Sequence, residues 1–361
     1  MDGSTKLPGK PRFVKQLHTT PRPQQEITKI SGLSLSDKVQ FAVSRQSGYP
    51  LHAVITQENK EKYYDSDNPY SADDNLTEVF GLMRELNRQA LSNPDLCRIS
   101  EEGTSFTDAL QNSIDVAANK FKGRAIHYVE LGPEPMKTRH IIKSLMDQGV
   151  QIKSYVGVDI NPASAHEMRA RLSAILDEDK IRHRISLFEN FNVDDIRDGD
   201  TPAIVTMLGF QEGNEEPAVM RDWMSRIASP GDCLLSEMQI LDDGHDDPVE
   251  TFYFNPLMQR FSRIAFERAY GDIPSRFQVY LIPVALEAER DILATVMCEH
   301  FSAPAYPSGS KTVDQIFVTN YCLKYTAGHY RQHREHNDQF KIINETITDD
   351  SSVVFQLSTR L

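Results

Sequence analysis

The sequence predicts an α/β chain built on a doubly wound, Rossmann-like parallel sheet, accompanied by a second, mostly helical lobe. Three observations predict it. Short apolar runs alternate with amphipathic stretches from about residue 125 to 235, the first run ends in a turn with one glycine, and the stretch before residue 120 carries apolar residues at helical spacing.

Residues 1–32 mix Pro, Gly, Lys and Arg with few apolar residues, the composition of a disordered tail or of a mobile arm that orders on contact with another subunit. From 33 to 120 the pattern is helical. Leu76, Val79, Phe80, Met83 and Leu86 form one apolar stripe, and Thr107 is placed to cap a second helix through DALQNSIDVAANKF. At Ala125 the texture changes. AIHYVEL, SYVGVDI, RISLFENF, AIVTMLG and CLLSEMQI read as five strands, joined by helical stretches such as MKTRHIIKSLMDQG and AVMRDWMSRIAS. Strand, helix, strand units imply a parallel sheet. Beyond Asp247 a long helical pattern, PVETFYFNPLMQRFSRIAFERAYG, leads into strand-like runs RFQVYLIPVAL and DQIFVTNYCLKY, a helix through HYRQHREH and a last strand, SVVFQLST. The predicted domains are the arm at 1–32, a helical lobe opening with 33–120, a sheet domain of 121–245 and 324–361, and an inserted part of the lobe at 246–323.

The chain has 361 residues, 39% hydrophobic and 25% charged, enough for two domains with buried cores. With 39 basic against 52 acidic residues its formal net charge is -13, which opposes broad binding to nucleic acid or anionic membranes and suits neutral or cationic ligands. Cys97, Cys233, Cys298 and Cys322 show no paired spacing, and no run of about 18 apolar residues is present. A cytoplasmic setting is expected, with a small-molecule substrate, no nucleic acid or membrane partner, and a homodimer contact through the N-terminal arm as the one macromolecular expectation.

The strongest local signal is VELGPEPMKTR at 129–139, a glycine turn between strand and helix where backbone N–H groups meet a ligand. A dinucleotide pyrophosphate needs several close-approach glycines, and only Gly132 is here, so a nucleoside without diphosphate is the expected ligand. Glu130 ends the first strand, Lys137 stands in the first helical turn to meet a ligand carboxylate, and Asp159 closes the second strand, where a carboxylate accepts from both ribose hydroxyls. Asn190 and Phe191, at the expected end of the third strand, are candidates to hydrogen-bond and stack an adenine.

These residues carry a family resemblance. ELG followed by MKTR, DINPAS after the second strand, LGFQEGN at the fourth and LKYT before the last helix make the chain similar to the histidine-specific methyltransferases of the ergothioneine pathway and their fungal amine-methylating relatives. The likeness covers about 125–240 and 310–361. It implies a class I methyltransferase sheet and S-adenosylmethionine as cofactor, with Lys137 at the cofactor's carboxylate, Asp159 at its ribose and the Glu189–Asn190 pair by its adenine. It also places Gly213 and Asn214 beside an amino-acid substrate, and leaves Tyr63, Tyr64 and Tyr70 as candidate assisting tyrosines, Tyr64 foremost.

The departures concern the acceptor. The family's imidazole-holding Glu and Ser fall here on Asn320 and Cys322, a neutral amide and a thiol, so histidine is not the expected substrate. Glu212, Glu215 and Glu216 stand instead by the expected transfer site, where carboxylates suit a cationic group such as a guanidinium. Glu212 is the candidate catalytic and substrate-binding residue, with Asn214 and Glu215 beside it, and Glu215 and Glu216 also read as helix-start acids. The expected activity is N-methylation of a free amino acid or small basic amine, arginine being the leading specific acceptor. Histidine or aromatic-amine methylation and a non-catalytic nucleoside-binding protein are the alternatives. His329, His333 and His336 share one helical face as metal ligands do, yet all intervening residues are polar, so a solvated face and no metal are expected.

Overall fold

The computed structural model describes residues 12–16, 32–58, 74–241, 246–286, 291–304 and 312–361. Two compact units emerge, one of 1–62 with 250–324 and one of 63–249 with 325–361.

The larger unit holds a seven-stranded sheet. Its strands are β3 (Ala125–Leu131), β4 (Gln151–Asp159), β5 (Ile181–Ile185), β6 (Ala203–Met207), β7 (Cys233–Gln239), β11 (Phe340–Ile347) and β12 (Val353–Arg360), in the order β11-β12-β7-β6-β3-β4-β5. Strands β3 to β7 pair in parallel, and β12 runs antiparallel to both β7 and β11. This is the class I methyltransferase sheet, doubly wound like a dinucleotide-binding Rossmann sheet but with an antiparallel strand inserted next to the last parallel one. Strand order reverses between β3 and β6, so the crevice for a ligand opens beyond their carboxyl ends.

Alternating side chains send the sheet's apolar residues to two cores. Ile126, Tyr128 and Tyr155 join residues of α3 (Phe106–Phe121), α4 (Pro135–Asp147) and α5 (Ala163–Leu172), whereas Val129, Leu131 and Val205 join Met220, Met224 and Ile227 of α6 (Pro217–Ile227). Helix α3 begins one residue before the expected cap Thr107, because Ser105 and Asp108 form a reciprocal capping box. It packs on β11 and β12, and α2 (Asp74–Ser92) packs on α4, so both belong to the larger unit and not to a separate leading lobe.

The smaller unit is not mostly helical. Five strands, β1 (Arg12–Lys15), β8 (Ser275–Val284), β9 (Ile292–Pro304), β10 (Thr312–Lys324) and β2 (Val54–Ile55), pair in that order, accompanied by α1 (Leu35–Ser47) and α8 (Pro256–Tyr270). Phe266 and Tyr270 of α8 meet Phe301 and Phe317 of the sheet with ring centroids 4.6–6.2 Å apart. The described part of the expected mobile arm is β1, which adds an edge strand parallel to β8 of its own chain. The long helical pattern after Asp247 is interrupted, because Pro256 cannot continue a helix and Asn255 caps a new one, giving α7 (Asp247–Tyr253) and then α8. No helix among the described residues is long and apolar enough to cross a membrane.

Candidate active site

Beyond β3, the chain turns at Gly132, whose φ of +69° favours glycine and whose N–H donates to the Val158 carbonyl at 2.9 Å. A Cβ here would lie 2.0 Å from Gln211 Nε2, so the glycine admits a side chain from the turn after β6. Two residues later Glu134 caps α4, its carboxylate accepting from the N–H groups of Met136 and Lys137, both at 2.9 Å. The helix N-terminus, which ordinarily attracts an anionic ligand, is thus satisfied by an acid of the chain itself.

Lys137 departs from its expected role. Its side chain is 2% exposed and its ammonium lies 2.5 Å from Glu237 Oε2 on β7, with the Phe106 ring 5.9 Å away. The carboxylate it meets is internal. Glu237 also accepts from the Gly209 N–H at 3.0 Å, and nothing in the local sequence around Lys137 announces a partner one hundred residues away.

Glu130 is buried, held by the Thr138 hydroxyl and by Tyr155 Oη at 3.2 Å. Burial pushes its carboxyl up to about 8, and burial likewise raises Glu134 and Asp159 to about 7. The folded chain therefore holds protons on these groups that the unfolded chain releases above about pH 4–5. Their contribution to stability is present below the unfolded values and is lost as pH rises through 7 to 8. The melting temperature of the ligand-free protein is expected to fall from pH 5.5 to pH 8.5, and the fall is expected to be shallower in Glu130→Gln. Differential scanning fluorimetry across that range checks both, and identical slopes for the two proteins would remove Glu130 as a cause.

Asp159 is half-buried at the end of β4, accepting from the Asn161 N–H at 2.9 Å. Ser164 stands beside it and also meets His183 Nε2 at 3.0 Å, and burial lowers the His183 ring to about 4, which keeps it neutral. The third strand is shorter than expected. It ends at Ile185, and Asn190 lies exposed in a one-turn helix of Phe188–Asn190. Phe191 is a core residue, packed with Val129, Val158 and Val193 and covered by the Arg184 guanidinium 5.9 Å from its ring, so it offers no open face to an adenine.

The turn after β6 brings a second correction. Glu212 is fully buried and its guanidinium partner is the chain's own Arg334, on α9 (Ala327–Arg334). Arg334 Nη2 also donates to Ser236 Oγ at 2.8 Å and Tyr330 Oη at 3.1 Å, while its Nε donates to Gln356 Oε1 at 2.9 Å. One oxygen of the Glu212 carboxylate is thus taken by an internal cation, and the other lies buried 3.9 Å from His333 Nε2. Asn214 and Glu215 are half-buried on the same turn, where the Glu215 carboxylate accepts from the Glu216 N–H at 2.9 Å. The histidines do not form a solvated face either. His333 is buried against Tyr325, burial pushes its ring well below the usual histidine range, and α9 ends before His336. Among the described residues no group of three or more His, Cys, Asp or Glu is placed to hold a metal ion.

Glu130, Gly132, Glu134, Lys137, Asp159 and the 209–214 turn thus share the carboxyl-end edge of the seven-stranded sheet. Asn320 and Cys322 lie on β10 of the other unit, where Asn320 Nδ2 is 3.8 Å from Met297 Sδ and Cys322 is buried. Tyr63, Tyr64 and Tyr70 lie outside the described residues. Gln211, Glu134, Glu237 and Arg334 escape local reading; only their position in or near the turn motifs marks the first two.

No protein-family model matches the chain, and no curated protein matches it. Among solved structures it is similar to the CcbJ methyltransferase from Streptomyces caelestis, at 11% identity over 70% of this chain and 89% of that one, with a TM-score of 0.38. It is also similar to the 1,6-didemethyltoxoflavin-N1-methyltransferase of Burkholderia thailandensis, at 9% identity over 78% and 88% with a TM-score of 0.37. A putative Zn-dependent alcohol dehydrogenase from Rhodobacter sphaeroides matches at 7% identity over 81% and 100%, with a TM-score of 0.41. Likenesses this distant carry no argument about chemistry. The fold assignment rests on the strand order itself, in which the antiparallel β12 separates β7 from β11.

Proposed function

We propose that the chain is an S-adenosylmethionine-dependent methyltransferase that methylates nitrogen on a small basic acceptor. One observation carries the reading: at the switch point of a class I methyltransferase sheet, the helix that would cradle a phosphate is closed by Glu134, while Glu130 and Asp159 end the two neighbouring strands. Ionised above their raised values of about 7 to 8, acids at this edge disfavour a pyrophosphate and favour a ligand with cationic centres. S-adenosylmethionine has an ammonium, a sulfonium and a ribose without phosphate, which fits. The missing Cβ of Gly132 admits the Gln211 amide at the turn.

When bound, this cofactor supplies a methyl group on a positively charged sulfur. Asp159, as the carboxylate, would hold the ribose hydroxyls, and Glu134 would supply negative charge for the positive end. Transfer to nitrogen is an in-line displacement, so the chain's main contribution is to align the acceptor's lone pair and exclude water. The acceptor remains a basic amine or amino acid as a class. Arginine as the specific acceptor rested on Glu212, whose carboxylate already holds Arg334, so that choice has lost its residue. The likeness of LGFQEGN and LKYT to the histidine-methylating family supports an amino-acid-sized acceptor, and Asn320 with Cys322 weighs against histidine itself.

The test is calorimetric binding of S-adenosylhomocysteine, followed by mass-spectrometric profiling of methyl transfer to a panel of amino acids and amines. Micromolar binding with transfer to a basic amine is expected. Failure to bind overturns the cofactor reading, binding without transfer to any member leaves a nucleoside-binding protein, and efficient histidine trimethylation overturns the inference from Asn320 and Cys322.

A further inference from the structure

The turn after β6 is strained. Gly209 and Phe210 both have positive φ, +71° and +64°, and the left-handed region is costly for a bulky side chain such as phenylalanine. Such a conformation persists only where its surroundings over-determine it, and it concentrates at functional sites.

What holds it comes from two adjacent residues of β7. Glu237 accepts the Gly209 N–H on its carboxylate at 3.0 Å and the Phe210 N–H on its backbone carbonyl at 3.2 Å, and the same carboxylate oxygen is fixed by Lys137. Ser236 accepts from Arg334, whose guanidinium grips Glu212 two residues beyond Phe210. Two buried ion pairs therefore clamp the turn, one at each end. Between the clamps stands Gln211, half-buried, with its amide over Gly132 where the missing Cβ would be.

We infer that Gln211 is a cofactor-contacting residue, reaching the amino-acid end of S-adenosylmethionine at the glycine turn, and that Glu237 and Arg334 are positioning residues acting through it. A carboxamide presents both donors and an acceptor, which suits an end carrying ammonium and carboxylate together. Buried ion pairs are a costly way to gain stability, because desolvation offsets much of their attraction, but they fix geometry. Here that geometry places one side chain at the ligand crevice.

The inference rests on the proposed cofactor and is tested with S-adenosylhomocysteine and adenosine as probes. Gln211→Ala is expected to weaken S-adenosylhomocysteine about tenfold, the loss of a pair of ordinary hydrogen bonds, while leaving adenosine affinity and the melting temperature unchanged. The pair Glu212→Gln with Arg334→Met keeps volume and removes charge, and is expected to melt within a few degrees of wild type yet weaken S-adenosylhomocysteine to a similar degree. Adding Gln211→Ala to that pair should cost nothing further, since the positioning acts through this residue. Wild-type binding by Gln211→Ala, equal losses for both probes, or additive losses in the triple variant each overturn the inference. If the double variant does not fold, the Gln211→Ala comparison between the two probes decides alone. Absence of wild-type binding to either probe strikes the cofactor reading instead.

Discussion

Lys137→Met is expected to lower the melting temperature of the larger unit by about 10 °C. Removing the ammonium leaves the Glu237 carboxylate buried without its ion-pair partner, and breaking one side of such a pair costs about 3–5 kcal/mol. In a unit of this size that corresponds to several degrees per few kcal/mol. The double variant Lys137→Met with Glu237→Gln should recover most of the loss, because the amide still accepts from the Gly209 N–H and no charge is stranded. Thermal melts of these two variants and of Glu237→Gln alone complete a double-mutant cycle. If the single variant melts like wild type, the pair is not coupled in solution and Lys137 is free to meet a ligand carboxylate, as the local sequence suggested.

Asp159→Ala is expected to weaken S-adenosylhomocysteine by about a hundredfold, the loss of two hydrogen bonds to a charged acceptor at about 1.5 kcal/mol each. A pH effect accompanies it. Burial raises this carboxyl to about 7, and only the ionised form accepts from both ribose hydroxyls, so affinity in the wild type should fall as pH drops from 8 to 6. In Asp159→Asn the dependence through this range should be reduced. Calorimetry at three pH values reads both effects, and unchanged affinity in Asp159→Ala would remove the ribose assignment.

The alternation from AIHYVEL to CLLSEMQI was enough to read five parallel strands, since burial on both faces of a parallel sheet leaves apolar runs and the intervening helices keep an amphipathic period. The sequence does not announce β1, β2, β9 or β11, the first two being four and two residues long. FKIINETI carries polar residues among its apolar ones, because β11 is an edge strand. In β9, Glu299 and His300 interrupt an apolar run, and Glu299 is satisfied by Ser262 at 3.0 Å and Ser275 at 2.7 Å, partners no local pattern reveals. The smaller unit was accordingly read as mostly helical.

At the site, residues whose role depends on their position along one strand or turn were legible. Glu130 and Asp159 stand at the ends of β3 and β4 and Gly132 at the turn after β3, positions that the strand and turn patterns give directly. Residues whose role depends on a distant partner were not. Glu212 invited a guanidinium by its chemistry and received one, but Arg334 lies 122 positions away and arrives only when α9 packs beside the sheet. Phe191 packs with Val129 and Val158 in the core, neighbours from strands 33 or more positions away. By itself the sequence determined the fold class, the glycine turn and the acidic strand ends. Tertiary structure alone decided which charges face a ligand and which face each other, because burial and ion pairing are properties of neighbours in space.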